Sequence, residues 1–68
     1  MTSAEESLQR AEELLARLEQ TRGELQRLAD DEEPERAIEV LGQLAELAKQ
    51  VEAELARAKR QADVDARS

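Results

Sequence analysis

The sequence predicts an all-α protein, an antiparallel helical hairpin that dimerises into a four-helix bundle. Of its 68 residues, 40 % are hydrophobic and 40 % are charged, while aromatic residues, cysteine and histidine are absent. Such a composition is typical of coiled coils and long helices. Two long stretches also place apolar residues at alternating spacings of three and four, the repeat of helices that pack along one face. The single proline, Pro34, separates the two stretches.

Helix one is predicted over about residues 3–29. Thr2 and Ser3 each precede a glutamate by three residues, so either one can open the helix with a capping box. Leu14 and Leu28 form a second apolar row beside the main repeat and widen the stripe. The main repeat consists of Ala4, Leu8, Ala11, Leu15, Leu18, Arg22, Leu25 and Ala29.

An acidic turn is predicted over about residues 30–33. The chain has a formal net charge of -7, and residues 30–35 carry five acidic side chains and no basic one. The spaced ligands and central glycine of a calcium loop are missing, so the cluster is interpreted as a solvated helix cap. A competing architecture straightens residues 29–34 into one long helix, which proline disfavours because it interrupts the hydrogen-bond ladder.

Helix two is predicted over about residues 34–63, followed by a frayed tail over 64–68. Its repeat is unbroken, and further apolar residues flank it on both sides, which makes the first half of this helix the widest apolar surface of the chain. The repeat consists of Ala37, Leu41, Leu44, Ala48, Val51, Leu55, Ala58 and Ala62, with Ile38 and Ala45 on one side and Val40 and Leu47 on the other.

A single hairpin of this size buries so little surface that it is expected to be only marginally stable. The chain has no cysteine, so no disulfide can add to that stability. The rows Leu14/Leu28 and Val40/Leu47 are expected to remain in water unless a second chain covers them. The predicted partner is therefore a second copy, in a homodimer or a higher oligomer, or else a larger protein. The predicted core and interface comprise Leu8, Ala11, Leu14, Leu15, Leu18, Leu25, Leu28, Ala37, Ile38, Val40, Leu41, Leu44, Leu47, Ala48, Val51, Leu55 and Ala58.

Arg22 is the one charged member of the repeats. It is either a solvated residue at the edge of the bundle, or a specificity residue that pairs with a carboxylate such as Glu46 or Glu52.

The sequence contains no combination of residues that is typical of a catalytic site. Histidine is absent and no glutamate occupies a repeat position, which argues against a di-metal site, and the few hydroxyls have no histidine base. We therefore expect a non-catalytic structural or protein-interaction module without cofactor, metal or small-molecule ligand. The acidic chain without aromatic residues predicts no binding of nucleic acid or membrane, and the absence of a leader or an apolar span favours the cytoplasm.

The spacing of helix two resembles a known bacterial family. The segment Ala37-Ile38-Glu39-Val40-Leu41, continued through Leu47-Ala48-Lys49 to Leu55 and Ala58, is similar to the second helix of the small subunit of exonuclease VII, a short acidic helical hairpin. The resemblance implies an alternative function as the accessory small subunit of a DNA-processing enzyme, which assembles with a catalytic large subunit. The plasmid-encoded repressor of primer, a helical-hairpin dimer, offers an architectural analogy alone.

Overall fold

A computed structural model describes residues 3–67 and consists of two packed helices. Helix α1 spans Ala4–Asp30 and helix α2 spans Pro34–Arg67. They lie against each other in an antiparallel hairpin that measures 55 × 14 × 14 Å. The prediction of an all-α helical hairpin is confirmed, and the alternative of one continuous helix is wrong, because the chain reverses direction between the two helices.

Ser3 sets the start of α1. Its backbone is extended, and its side-chain oxygen accepts a hydrogen bond from the backbone N–H of Glu6 at 3.1 Å. This bond satisfies one of the amide groups that a first helical turn leaves without a partner. Of the two predicted capping residues, Ser3 is thus the one that caps, while Thr2 lies outside the described residues.

The reversal after α1 is a Schellman turn. The N–H of Glu33 donates to the carbonyl of Leu28 at 3.0 Å, and the N–H of Glu32 donates to the carbonyl of Ala29 at 3.3 Å. Glu32 has a φ of 56°, the left-handed conformation that this turn requires after the last helical residue. Glycine is the usual residue there, so the chain forms the turn with an ordinary side chain in a strained conformation.

Glu33 is also the residue immediately before α2. Its carbonyl accepts the N–H of Ala37 at 3.0 Å, and Pro34 occupies the first helical position, where a missing N–H costs nothing. The helix continues to Arg67, whereas the sequence predicted an end near residue 63 and a frayed tail. The tail prediction is wrong over residues 64–67 because they include neither glycine nor proline and nothing there interrupts the helical ladder.

The two helices meet along a line of buried and half-buried residues that we call the seam. On α1 it passes through both buried leucines, and on α2 it is centred on Val51, which is 7 % exposed. Its positions alternate at spacings of three and four, as in a coiled coil. The seam consists of Ser7, Ala11, Leu14, Leu18, Thr21, Leu25 and Leu28 on α1 and Val40, Leu44, Leu47, Val51, Glu54, Ala58 and Gln61 on α2.

The seam corrects the prediction that the rows Leu14/Leu28 and Val40/Leu47 remain in water. Both rows face the neighbouring helix, because each helix is rotated relative to its predicted repeat, so that every second repeat position is replaced in the contact by the residue before it. The predicted orientation would have placed the guanidinium of Arg22 in the middle of the contact. Rotation places Thr21 there instead, and its hydroxyl donates to the carbonyl of Arg17 at 2.7 Å, which removes the cost of burying it.

Both glycines of the chain lie within helices and have no structural need for a missing side chain. A Cβ atom added at Gly23 or Gly42 meets no atom within 4 Å, and neither residue has a positive φ. We therefore expect Gly23→Ala and Gly42→Ala each to raise the free energy of unfolding by about 0.5–1 kcal/mol. Chemical denaturation followed by circular dichroism checks this, and a loss of stability in either variant would reveal a close contact with another chain.

Candidate protein interface

One side of the hairpin carries a contiguous row of exposed apolar residues, which we call the leucine face. Ile38 is 69 % exposed and Leu41 is 56 % exposed, and the three other large side chains are between 45 % and 49 % exposed. Only Ala48 among its alanines is half-buried. The leucine face consists of Leu8, Leu15 and Ala29 on α1 and Ile38, Leu41, Ala48, Leu55 and Ala62 on α2, with Arg22 in the α1 row.

The two rows lie on the same side of the hairpin. Most members follow a seam residue by one position, as Leu15 follows Leu14 and Leu55 follows Glu54. Two antiparallel helices are related by an approximate two-fold axis, which places equivalent repeat positions on the same side of the pair. At the turn this is seen directly, since Ala29 and Ile38 line one shallow apolar recess. The leucine face is thus one continuous surface and not two separate stripes.

The opposite side of the hairpin is polar, and we call it the charged face. Arg10, Arg17 and Gln50 line a recess there together with Glu13, and Arg57 adds a further positive charge beside it. The contrast between the two sides is large, because the same seam is flanked by leucine and alanine on one side and by arginine and glutamine on the other. A partner that recognises apolar surface is therefore directed to the leucine face.

Arg22 forms an ion pair with Glu19 on the leucine face. Its Nε donates to Glu19 Oε1 at 3.1 Å, and its Nη2 donates to the same oxygen. The side chains are 58 % and 65 % exposed, so the pair is solvated. Of the two alternatives for Arg22, the hairpin shows the solvated one. Its ion-pair partner among residues 3–67 is Glu19 and not Glu46 or Glu52, because Glu19 lies one turn away on the same helix and needs no second helix to position it.

This ion pair changes the titration of Glu19. The hydrogen bond from Arg22, together with the attraction of its charge, lowers the pKa of the Glu19 carboxyl below its usual value. A lowered pKa in the folded state means that the interaction stabilises the protein above the unfolded-state pKa and is lost as the pH falls through the folded-state pKa. We expect NMR titration to place Glu19 below the average glutamate, and Arg22→Leu to return it to that average.

A titration midpoint for Glu19 that does not move in Arg22→Leu would contradict this assignment.

Glu54 is the one charged residue in the seam, where its exposed fraction is 7 %. Its Oε1 accepts a hydrogen bond from Arg57 Nη1 at 3.1 Å and lies 3.6 Å from Arg10 Nε. Its second oxygen, Oε2, and the hydroxyl of the fully buried Ser7 have no hydrogen-bond partner among residues 3–67. These groups make the half of the seam near the chain termini smaller and more polar than the half near the turn.

Sequence reasoning missed both Ser7 and Glu54, and its statement that no glutamate occupies a repeat position is wrong. A repeat in which every second position is moved back by one residue would have included them, since Ser7 precedes Leu8 and Glu54 precedes Leu55. The members of that alternative repeat are less apolar than those of the predicted one, so hydrophobicity alone does not select it.

The predicted core and interface residues divide into three groups in the hairpin. The buried ones are Ala11, Leu14, Leu28, Val40, Val51 and Ala58. The half-buried ones are Leu18, Leu25, Ala37, Leu44, Leu47 and Ala48. The exposed ones are Leu8, Leu15, Ile38, Leu41 and Leu55, all on the leucine face.

Two further classes of site are absent from residues 3–67. No group of three or more Asp and Glu side chains is arranged to hold a metal ion, the acidic turn included. Neither α1 nor α2 has an apolar stretch long enough to cross a bilayer.

The resemblance of helix two to the exonuclease VII small subunit stays a prediction. A helical hairpin is common to many proteins, so the fold does not test this resemblance. Comparisons with protein-family models, with curated proteins and with solved structures find no match to this chain.

Proposed function

We propose that this chain is a non-catalytic protein-interaction module that self-associates through the leucine face. The observation that carries the proposal is that five large apolar side chains, each at least 45 % exposed, lie on one side of the hairpin. Exposed apolar surfaces of this extent are typical of interfaces. Two leucine faces packed together produce a four-helix bundle in which the leucines of both copies are buried.

The exposed area of the chain supports association with a second copy. A compact monomer of 7.6 kDa exposes about 4,300 Å² by the usual scaling with mass. The hairpin exposes 5394 Å². The excess of about 1,100 Å² exceeds the roughly 800 Å² per partner of a standard interface.

The shape of the chain explains that excess. The radius of gyration is 15.7 Å, against about 11 Å for a compact domain of this length. A second hairpin laid along the first produces a thicker and more compact particle, with the surface-to-volume ratio of an ordinary domain.

Substitutions that introduce charged residues on the leucine face test the proposal. The double variant Leu15→Glu/Leu55→Glu introduces two carboxylates per chain near the centre of the face, and both positions are exposed in the hairpin. We expect the wild-type chain to sediment as a dimer in the micromolar range. The variant should dimerise about a hundredfold more weakly or worse, because association would desolvate four unpaired charges.

Val64→Glu is the matched control, since Val64 is 59 % exposed and lies outside the leucine face. Sedimentation equilibrium of the three chains, with helix content followed by circular dichroism, separates the outcomes. A wild-type chain that is fully helical and monomeric throughout the micromolar range would disprove self-association, and so would equal dimerisation by the double variant and the wild type.

A further inference from the structure

The two ends of the hairpin differ strongly in charge. The turn end, residues 30–35, carries Asp30, Asp31, Glu32, Glu33 and Glu35, for a net charge of 0 − 5 = −5. The open end comprises residues 3–10 and 57–67. Five basic side chains there oppose four acidic ones, for a net charge of 5 − 4 = +1, from Arg10, Arg57, Lys59, Arg60 and Arg67 against Glu5, Glu6, Asp63 and Asp65.

This asymmetry distinguishes the two ways in which a second copy can cover the leucine face. If the two-fold axis runs along the helices, both turns lie at the same end and ten carboxylates are crowded together. If the axis runs across the helices, each acidic turn lies beside the open end of the partner copy. Like charges brought together oppose association, while complementary ones favour it, so the second arrangement is preferred.

The position of the Glu19–Arg22 pair fits the second arrangement. The leucine face on α1 runs from Leu8 to Ala29, so its midpoint lies between residues 18 and 19. A two-fold axis across the middle of the face therefore passes close to the pair. Each copy brings one preformed ion pair to this point, and the guanidinium of one copy can then face the carboxylate of the other.

Building on the proposed self-association, we propose that the second copy docks antiparallel, turn to open end. The Glu19–Arg22 pairs of the two copies then meet at the centre of the leucine faces, where the four charges alternate and fix the register. A slip by one heptad would place each pair against apolar side chains without a complementary charge, which desolvation penalises. The pair thus acts as a specificity device inside an otherwise apolar contact.

A mixing experiment with complementary charges tests this geometry. The Glu19→Arg chain carries only positive charge at the centre of its leucine face, and the Arg22→Glu chain carries only negative charge there. Alone, each should dimerise at least about tenfold more weakly than the wild type, because like charges meet across the interface. Mixed in equal amounts, with one chain labelled with ¹⁵N, they should form heterodimers well above the statistical half in native mass spectrometry.

The control pair is Glu13→Arg with Arg17→Glu, which makes the same exchanges on the charged face and should give the statistical proportion of heterodimers. Both test substitutions lie on exposed side chains, so the helices should remain intact, as circular dichroism will verify. A wild-type dimer whose charge variants mix statistically would overturn the antiparallel docking and leave the proposed self-association standing. A monomeric wild type would overturn both.

Discussion

Val51→Asn is expected to remove a large part of the stability of the hairpin. Val51 lies at the centre of the seam on α2 and is 7 % exposed, so the substitution removes a buried apolar side chain and inserts an amide that lacks partners. Loss of the apolar contact and burial of the amide together cost about 3–5 kcal/mol. A domain of this size has roughly 3–10 kcal/mol of stability in total.

Val64→Asn is the matched control for this prediction. It makes the same chemical change in the same helix at a position that is 59 % exposed, and its effect should be within about 0.5 kcal/mol. Thermal and urea unfolding of both variants must be compared at one chain concentration, since association stabilises the folded state by mass action. Equal unfolding midpoints for the two variants would show that the seam is not the core of the protein.

Glu54→Leu is expected to stabilise the hairpin by about 1–3 kcal/mol, although it removes two ion pairs. Burial takes the Glu54 carboxylate out of water, and one of its oxygens has no hydrogen-bond partner in the described chain. Its partners Arg10 and Arg57 have side chains that are 70 % and 50 % exposed. When Glu54 is replaced, both arginines remain solvated, so no buried charge is left without a partner.

Glu46→Leu is the control, because Glu46 is an exposed glutamate on the outer surface of the same helix and its replacement should change the stability little. The free energies of unfolding of the two variants are obtained from urea denaturation. A lower stability for Glu54→Leu than for the wild type would mean that the carboxylate contributes more through Arg10 and Arg57 than it loses by burial.

Several elements of the fold follow from local signals in the sequence. Ser3 with Glu6, the acidic turn and Pro34 mark where α1 begins and where the chain reverses. The repeats of leucine and alanine show that each helix has one apolar side. These features depend on residues close together in the chain, so backbone sterics, capping and period are enough to predict them.

The choice of the buried row did not follow from the sequence. Each helix has two adjacent apolar rows, and hydrophobicity favoured the row of Leu15 and Leu55 for the contact between the helices. The structure buries the row of Leu14 on α1 and the row of Val40 and Glu54 on α2 instead. Which row faces the neighbour depends on the mutual rotation of the two helices, and no local signal records that rotation.

An all-α hairpin with amphipathic helices and an acidic turn follows from the sequence alone, because those properties arise from the period of apolar residues and from a few capping and turn residues. Only the tertiary structure decided that Leu8, Leu15, Leu41 and Leu55 are left exposed on one side, with Arg22 among them. The physical reason is that the rotation that keeps Arg22 in water on α1 is matched by a rotation of α2 that buries Glu54. The row that faces the neighbour is therefore set by the packing of both helices together and not by the charge of one residue.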